Sequence, residues 1–145
     1  MTIEKNFKEV YMNRTAMETV REFYGHINSD PSALPKVLHS DIKWEITDGF
    51  PYGGEYNGLS SVMNDFFGKV MKHFEYWNDL PYEYIDAGKK VIVLGHYKTR
   101  AKGAGSDVLA SFAHVWTVDN GMITRLQQYT DTTVLSEALG NNMPN

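Results

Sequence analysis

The sequence predicts an α+β domain, with helices at the front and a meander of long antiparallel strands behind. Three observations carry that reading. Apolar residues recur at helical spacing as far as Phe74, and period two then takes over to Asp131. Strands and helices do not alternate as a parallel, doubly wound sheet requires. The chain has 145 residues, with neither an internal repeat nor a linker that would divide it, so one core is expected.

Residues 1–13 show no clean period and read as an arm. Thr15 and Glu18 then form a capping box, T-x-x-E, that starts a helix. Met17, Val20, Tyr24 and Ile27 share one face of it, widened by Phe23, and Asn28-Ser29 closes it. Asp30-Pro31 opens a short second helix, with Asp as N-cap and Pro in the first turn. Residues 41–47 alternate, which puts Ile42, Trp44 and Ile46 on one face of a strand. Residues 48–58 carry four glycines and read as an aromatic loop around Phe50, Tyr52 and Tyr56. A third helix follows, with a wide stripe from Leu59 through Phe66 and Phe67 to Phe74.

Residues 81–87, 90–101, 108–118 and 122–131 read as strands. The second of these puts Val91, Val93, Gly95, Tyr97 and Thr99 on one face and Ile92, Leu94 and His96 on the other. The third carries Phe112, His114, Trp116 and Val118 on one face, and the fourth Ile123, Arg125, Gln127, Tyr129 and Asp131. Asp119-Asn120-Gly121 makes the tight turn between them. One helical turn around Leu135 and Leu139 and a flexible tail, 140–145, complete the chain.

Composition narrows the function. A net charge of −4 does not suit a chain whose main partner is a phosphate backbone, so no nucleic acid is expected. With no cysteine there is no thiol catalysis and no thiolate metal site. The first twenty residues scatter charges through what would have to be an apolar run, so neither a membrane span nor a leader is expected and the cytoplasm is the default. The five histidines are dispersed singly, and no metal is expected. Gly103-Ala104-Gly105 lies between strands and lacks the third glycine of a dinucleotide fingerprint, and no Walker loop is present. No cofactor is expected. Aromatics at 13% must line a core or a cavity.

The block from Val91 to Leu135 carries a resemblance. Gly95-x-Tyr97, Phe112-x-His114-x-Trp116, the Gly121-x-Ile123 hairpin and Tyr129-x-Asp131 resemble the last strands of SnoaL-like polyketide cyclases and ketosteroid-isomerase-like proteins. These belong to the nuclear-transport-factor-2-like superfamily. Tyr52-Gly53-Gly54-x-Tyr56-x-Gly58 leading into a helix agrees as well, and the likeness spans residues 14–139. It implies a cystatin-like fold: a cone-shaped, curved antiparallel sheet packed on three helices around an internal pocket, commonly dimeric. A homodimer is expected through the Ile92, Leu94 and His96 face, opposite the pocket face.

The resemblance also assigns roles. Asp131 matches the late-strand acid/base Asp of SnoaL-type cyclases, and His114 falls where ketosteroid isomerases place a hydrogen-bond donor to an enolate oxygen. The first-strand base of those isomerases reads here as Ile46. Asp131 and His114 are therefore the candidate catalytic pair. Trp44, Tyr24, Tyr52, Phe66, Phe112, Trp116 and Tyr129 are the candidate substrate-binding residues. Such a pair in an aromatic pocket suits proton abstraction beside a carbonyl. The expected function is a cofactor-free isomerase, cyclase or dehydratase acting on a small apolar carbonyl compound. The alternative is a non-catalytic small-ligand-binding or dimeric interaction module of the same fold.

Overall fold

The computed structural model describes residues 13–144. The expected arm, 1–13, lies outside the described residues apart from Asn13. Helix α1, Ala16–Ser29, starts at the capping box: Thr15 accepts from the Glu18 N–H while the Glu18 side chain reaches back to the Thr15 N–H. A 3-10 helix, Pro31–Lys36, follows, N-capped by Asp30. Strand β1, Leu38–Ile46, leads to β2, Gly54–Asn57, a short edge strand inside the segment read as a loop. The third helical segment, 59–73, is α2. It begins helical at Leu59–Ser61, widens into a π-helix over Val62–Phe67, returns to α over Gly68–Val70 and tightens to 3-10 at Met71–His73. Strands β3, Phe74–Ala87, β4, Lys90–Ala101, β5, Val108–Asp119, and β6, Met122–Thr130, form the meander. Helix α3, Thr132–Leu139, is longer than the single turn expected, and Met143 of the segment read as a tail packs against the core.

The six strands form one sheet in the order β2-β1-β6-β5-β4-β3. All neighbours are antiparallel except β1 and β6, which run parallel, so the sheet is mixed where the meander alone predicted antiparallel pairing. β1 can lie beside β6 in this direction because α2 and the long strands intervene in the chain, giving room for the crossover that parallel neighbours need. The described helices pack on the inner face; on the outer face of β4 and β5, Ile92, Leu94 and Val115 are half-buried and Leu109 is exposed. Valines and aromatics of the inner face meet α1 and α2 in one core, with Val20, Leu34, Val62, Val70, Val91, Val93, Trp116 and Leu135 fully buried. Each such side chain stabilises by about 1.5–3 kcal/mol through burial.

Two β-bulges decide which residues face inward. Thr117 pairs with Arg125 and Val118 with Ile123, so Thr124 is an extra residue in β6. One inserted residue flips every later side chain to the other face. Ile123, Leu126 and Gln128 are buried, while Tyr129 is 55% exposed. The single inward face expected for Arg125, Gln127, Tyr129 and Asp131 is thereby corrected. In β3, Pro81 pairs with Gly95 and Glu83 with Leu94, so Tyr82 is bulged out. Pro81 and this bulge interrupt the alternation and hid the first seven residues of β3.

Gly95 sits where these strands approach most closely. A Cβ there would lie 2.5 Å from Phe112 Cζ, 2.7 Å from the Leu80 carbonyl oxygen and 2.8 Å from Pro81 Cα. Gly95→Ala should destabilise the fold by ~1–3 kcal/mol through overpacking against backbone. Urea denaturation followed by circular dichroism checks this; an unchanged midpoint contradicts it.

Candidate active site

Between the sheet and α1/α2 lies a small cavity of about 30 Å³, room for roughly one or two waters. Its wall is aromatic, with Trp44, Trp77, Trp116, Phe23, Phe50, Phe66, Phe67 and Tyr97 among its members. Four groups give it chemistry: Asp79, Tyr97, His114 and Gln128. An apolar cavity of about 160 Å³ adjoins it and shares Ile27, Phe67, Met71 and Trp77 as walls.

Asp79 enters from β3, directly across the ladder from Tyr97 of β4. Cross-strand partners have Cβ atoms about 4.5–5.5 Å apart, so the carboxyl and the phenol belong to one site. Asp79 is 4% exposed. The Trp77 indole N–H donates to its Oδ1 at 2.9 Å. Asn28 of α1 holds its main chain from both sides: the Asn28 amide donates to the Asp79 carbonyl at 2.7 Å and its oxygen accepts from the Asp79 N–H at 2.9 Å. No ion pair reaches Asp79 among the described residues. Burial pushes its carboxyl up to about 7, with the Trp77 hydrogen bond holding it down in part.

His114 of β5 is 2% exposed and bridges two phenols. Its Nδ1 lies 2.7 Å from the Tyr24 hydroxyl and its Nε2 2.5 Å from the Tyr97 hydroxyl. The Trp116 indole donates to the Tyr24 hydroxyl at 2.9 Å, and the Gln128 amide to the Tyr97 hydroxyl at 2.8 Å. Gln128 is fixed in turn, its side-chain oxygen accepting from the Thr47 N–H at 3.2 Å. Burial alone drives the imidazole down to about 3, so it is neutral. Burial first, then the nearby Asp79 charge, pushes both Tyr24 and Tyr97 well above the usual phenol range, so both keep their hydrogens.

Hydrogen counting then constrains the network. Two hydroxyl hydrogens and one imidazole N–H are present, and the two contacts to the ring consume two of the three. One hydroxyl hydrogen is left over. With the proton on Nδ1 it belongs to Tyr24; with the proton on Nε2 it belongs to Tyr97, which is in the cavity wall.

Of the residues singled out from the sequence, His114, Trp44, Phe66 and Trp116 meet in the cavity wall. Tyr24 and Phe112 stand behind it, Tyr24 in the network and Phe112 stacked on His114 at 3.8 Å. Tyr52, Tyr129 and Asp131 are elsewhere. Tyr52 hydrogen-bonds His73 at 2.9 Å. Tyr129 lies on the outer face. Asp131 is exposed and caps α3 through the Val134 N–H. A capping carboxylate in water gains nothing from an apolar pocket, so Asp131 is corrected from pocket base to helix cap. Asp79, Trp77, Gln128 and Asn28 escaped the sequence reading. Trp77-x-Asp79, two residues apart and so on one face of a strand, was the available signal.

No group of three or more possible metal ligands converges among the described residues, and none of their helices is long and apolar enough to cross a membrane. The family model for the SnoaL-like domain matches residues 20–126. A nuclear-transport-factor-2-like protein from Burkholderia thailandensis is 28% identical, covering 87% of this chain and 98% of its own, with a TM-score of 0.80. A second such protein, of unknown function, from Burkholderia pseudomallei is 28% identical over 86% of this chain and 97% of its own, with a TM-score of 0.76. A protein of ketosteroid-isomerase-like fold from Catenulispora acidiphila is 18% identical over 85% of this chain and 92% of its own, with a TM-score of 0.73. The search of curated proteins finds no match.

Two of the buried ionisable groups, Asp79 and His114, pull stability in opposite directions. Asp79 rises from 3.8 to about 7 on folding, so its contribution is full below about pH 4 and is lost as pH climbs through 7. His114 falls from 6.5 to about 3, so its contribution is full above pH 6.5 and is lost as pH drops towards 3. Between about pH 4 and 6.5 the slopes nearly cancel. Asp79→Asn should therefore uncover a stability that rises with pH across this window, and His114→Gln one that falls. Urea midpoints against pH test this; three parallel curves would contradict it.

Proposed function

The chain belongs to the SnoaL-like domain family, and on that footing we propose that it is a cofactor-free acid/base enzyme of isomerase, cyclase or dehydratase type. Its substrate is a small apolar carbonyl compound, and Asp79 is its base. One observation carries the reading: Asp79 and Tyr97 face each other across β3 and β4 into the same cavity. A base must sit within reach of the α-proton and a donor within reach of the carbonyl oxygen, and this pair supplies both.

In the proposed step the ionised Asp79 takes a proton from the carbon beside the carbonyl. The C–H electron pair moves to the carbonyl oxygen, giving an enolate. The spare Tyr97 O–H donates to that oxygen, with His114 protonated on Nε2 and Gln128 holding the phenol in place. Asp79 then returns the proton to the same or another carbon, so no redox partner is consumed. Trp77 and Asn28 hold the base in position. The apolar remainder of the substrate extends past Phe67 and Met71 into the adjoining cavity. The two cavities fall below the ~300–1,000 Å³ of drug-sized sites, which favours a small substrate.

We also propose a homodimer through the outer sheet face. Ladder rows Ile85–Ile92–Val115 and Leu94–Ala113–Tyr129 place apolar side chains side by side there. Leu80, Ile85, Leu109 and Tyr129 are among the exposed large apolar residues. Contiguous exposed patches of this kind mark association surfaces. Leu94→Glu should shift sedimentation from dimer towards monomer; a native protein that stays monomeric at high concentration contradicts the assembly.

The chemistry is tested by exchange of α-protons of small ketones in deuterated water. The rate should rise with pH through about 7 and then level, following ionisation of Asp79. Asp79→Asn should lower it ~10²–10⁴-fold, and Tyr97→Phe ~10²–10³-fold, the scale of one lost oxyanion donor. Asp131→Asn should leave it unchanged. Ketone binding without exchange at any pH would instead assign a ligand-binding module.

A further inference from the structure

The Trp44 side chain is 2% exposed and belongs to the wall of the inner cavity. Its indole Nε1 has no hydrogen-bond partner among the described residues. The other polar groups of that wall are engaged: Trp77 with Asp79, Trp116 with Tyr24, Gln128 with Tyr97 and Thr47, and His114 with both phenols. Indole N–H is a donor only. Leaving it buried and unpaired is costly, and nine in ten or more buried polar groups avoid it. Four aromatic rings, Phe23, Phe66, Phe67 and Trp116, pack around the Trp44 ring at centroid distances of 5.5–6.1 Å, and none of them supplies a lone pair. A donor left unsatisfied in a cavity wall gains a hydrogen bond when a ligand brings it an acceptor.

We infer that Trp44 is a specificity-determining residue whose indole N–H reads a second acceptor oxygen on the substrate. The ligand class is thereby narrowed, within the proposed function on which this rests, to a small uncharged dicarbonyl or hydroxycarbonyl compound. One oxygen accepts from Tyr97, and the second, on another carbon, accepts from Trp44. The apolar frame that carries them extends past Phe67 and Met71 into the adjoining cavity. An uncharged second oxygen fits better than a carboxylate, because Asp79 already places negative charge in the same cavity and no cation among the described residues lines it. The donor also adds selectivity: a ligand without the second oxygen would leave the N–H buried and unpaired.

The test compares cyclohexanone with cyclohexane-1,2-dione and cyclohexane-1,4-dione, titrated into the native protein and into Trp44→Phe. Native protein should bind at least one dione about fivefold or more tightly than the monoketone, the scale of one neutral hydrogen bond. Trp44→Phe should abolish that preference while changing cyclohexanone affinity less than twofold. As a readout independent of the variant, the Trp44 indole resonance in ¹H–¹⁵N spectra of native protein should move downfield with the preferred dione and not with cyclohexanone. Equal binding of all three ketones by native protein, or a dione preference that survives Trp44→Phe with an unmoved indole resonance, overturns the Trp44 assignment and leaves the Asp79–Tyr97 site standing. Failure of every ketone to bind native protein overturns both.

Discussion

A carboxyl buried with no cation against it among the described residues organises this molecule. Asp79 is removed from water by the aromatic wall, and an ionised carboxylate in such a place costs several kcal/mol unless it is hydrogen-bonded. The surroundings compensate it incompletely. Trp77 donates one hydrogen bond to the carboxyl, and Asn28 binds only its main chain. The result is a group poised between its two protonation states near neutrality. Its charge in turn helps keep the Tyr24 and Tyr97 hydroxyls protonated. Those hydrogens, with a neutral His114 between them, leave one donor to spare. Base and donor thus follow from a single act of burial.

Backbone irregularities aim these groups. The extra residue Thr124 turns Gln128 inward and Tyr129 outward, so the amide that steadies Tyr97 exists only because β6 is bulged. The bulge at Tyr82 bends β3 over β4 beside Gly95. On the helical side, the π segment carries Phe66 and Phe67 to the cavity wall. Such segments are rare and occur mostly at functional sites. Elements that hold sites depart from regular geometry, while the capped α1 and the regular middle of β4 and β5 supply the stiffness.

Legibility in the sequence divided along the same line. Regular elements announced themselves: the Thr15–Glu18 box, the Asp30-Pro31 start and the Asn120-Gly121 turn were all present as chemistry. His114, Trp44 and Trp116 lie on period-two faces and Phe66 on the wide apolar stripe from Leu59 to Phe74, and their inward direction could be read. Asp131 was misread because an inserted residue upstream reverses the phase of β6 without any mark in composition. Asp79 was hidden because Pro81 and the Tyr82 bulge break the alternation that would have joined Trp77-x-Asp79 to the rest of β3. The parallel pairing of β1 with β6 has no local signal at all, since it is set by which edges remain free after the meander has formed.

The most direct measurement of this account is the titration of the Asp79 side-chain carboxyl by ¹³C NMR, assigned by its loss in Asp79→Asn. The account predicts a midpoint near 7, well above the ordinary carboxylate range. A midpoint for Asp79 in the ordinary carboxylate range near 4 would contradict it, because a solvated carboxylate could not be the buried base on which the site is built.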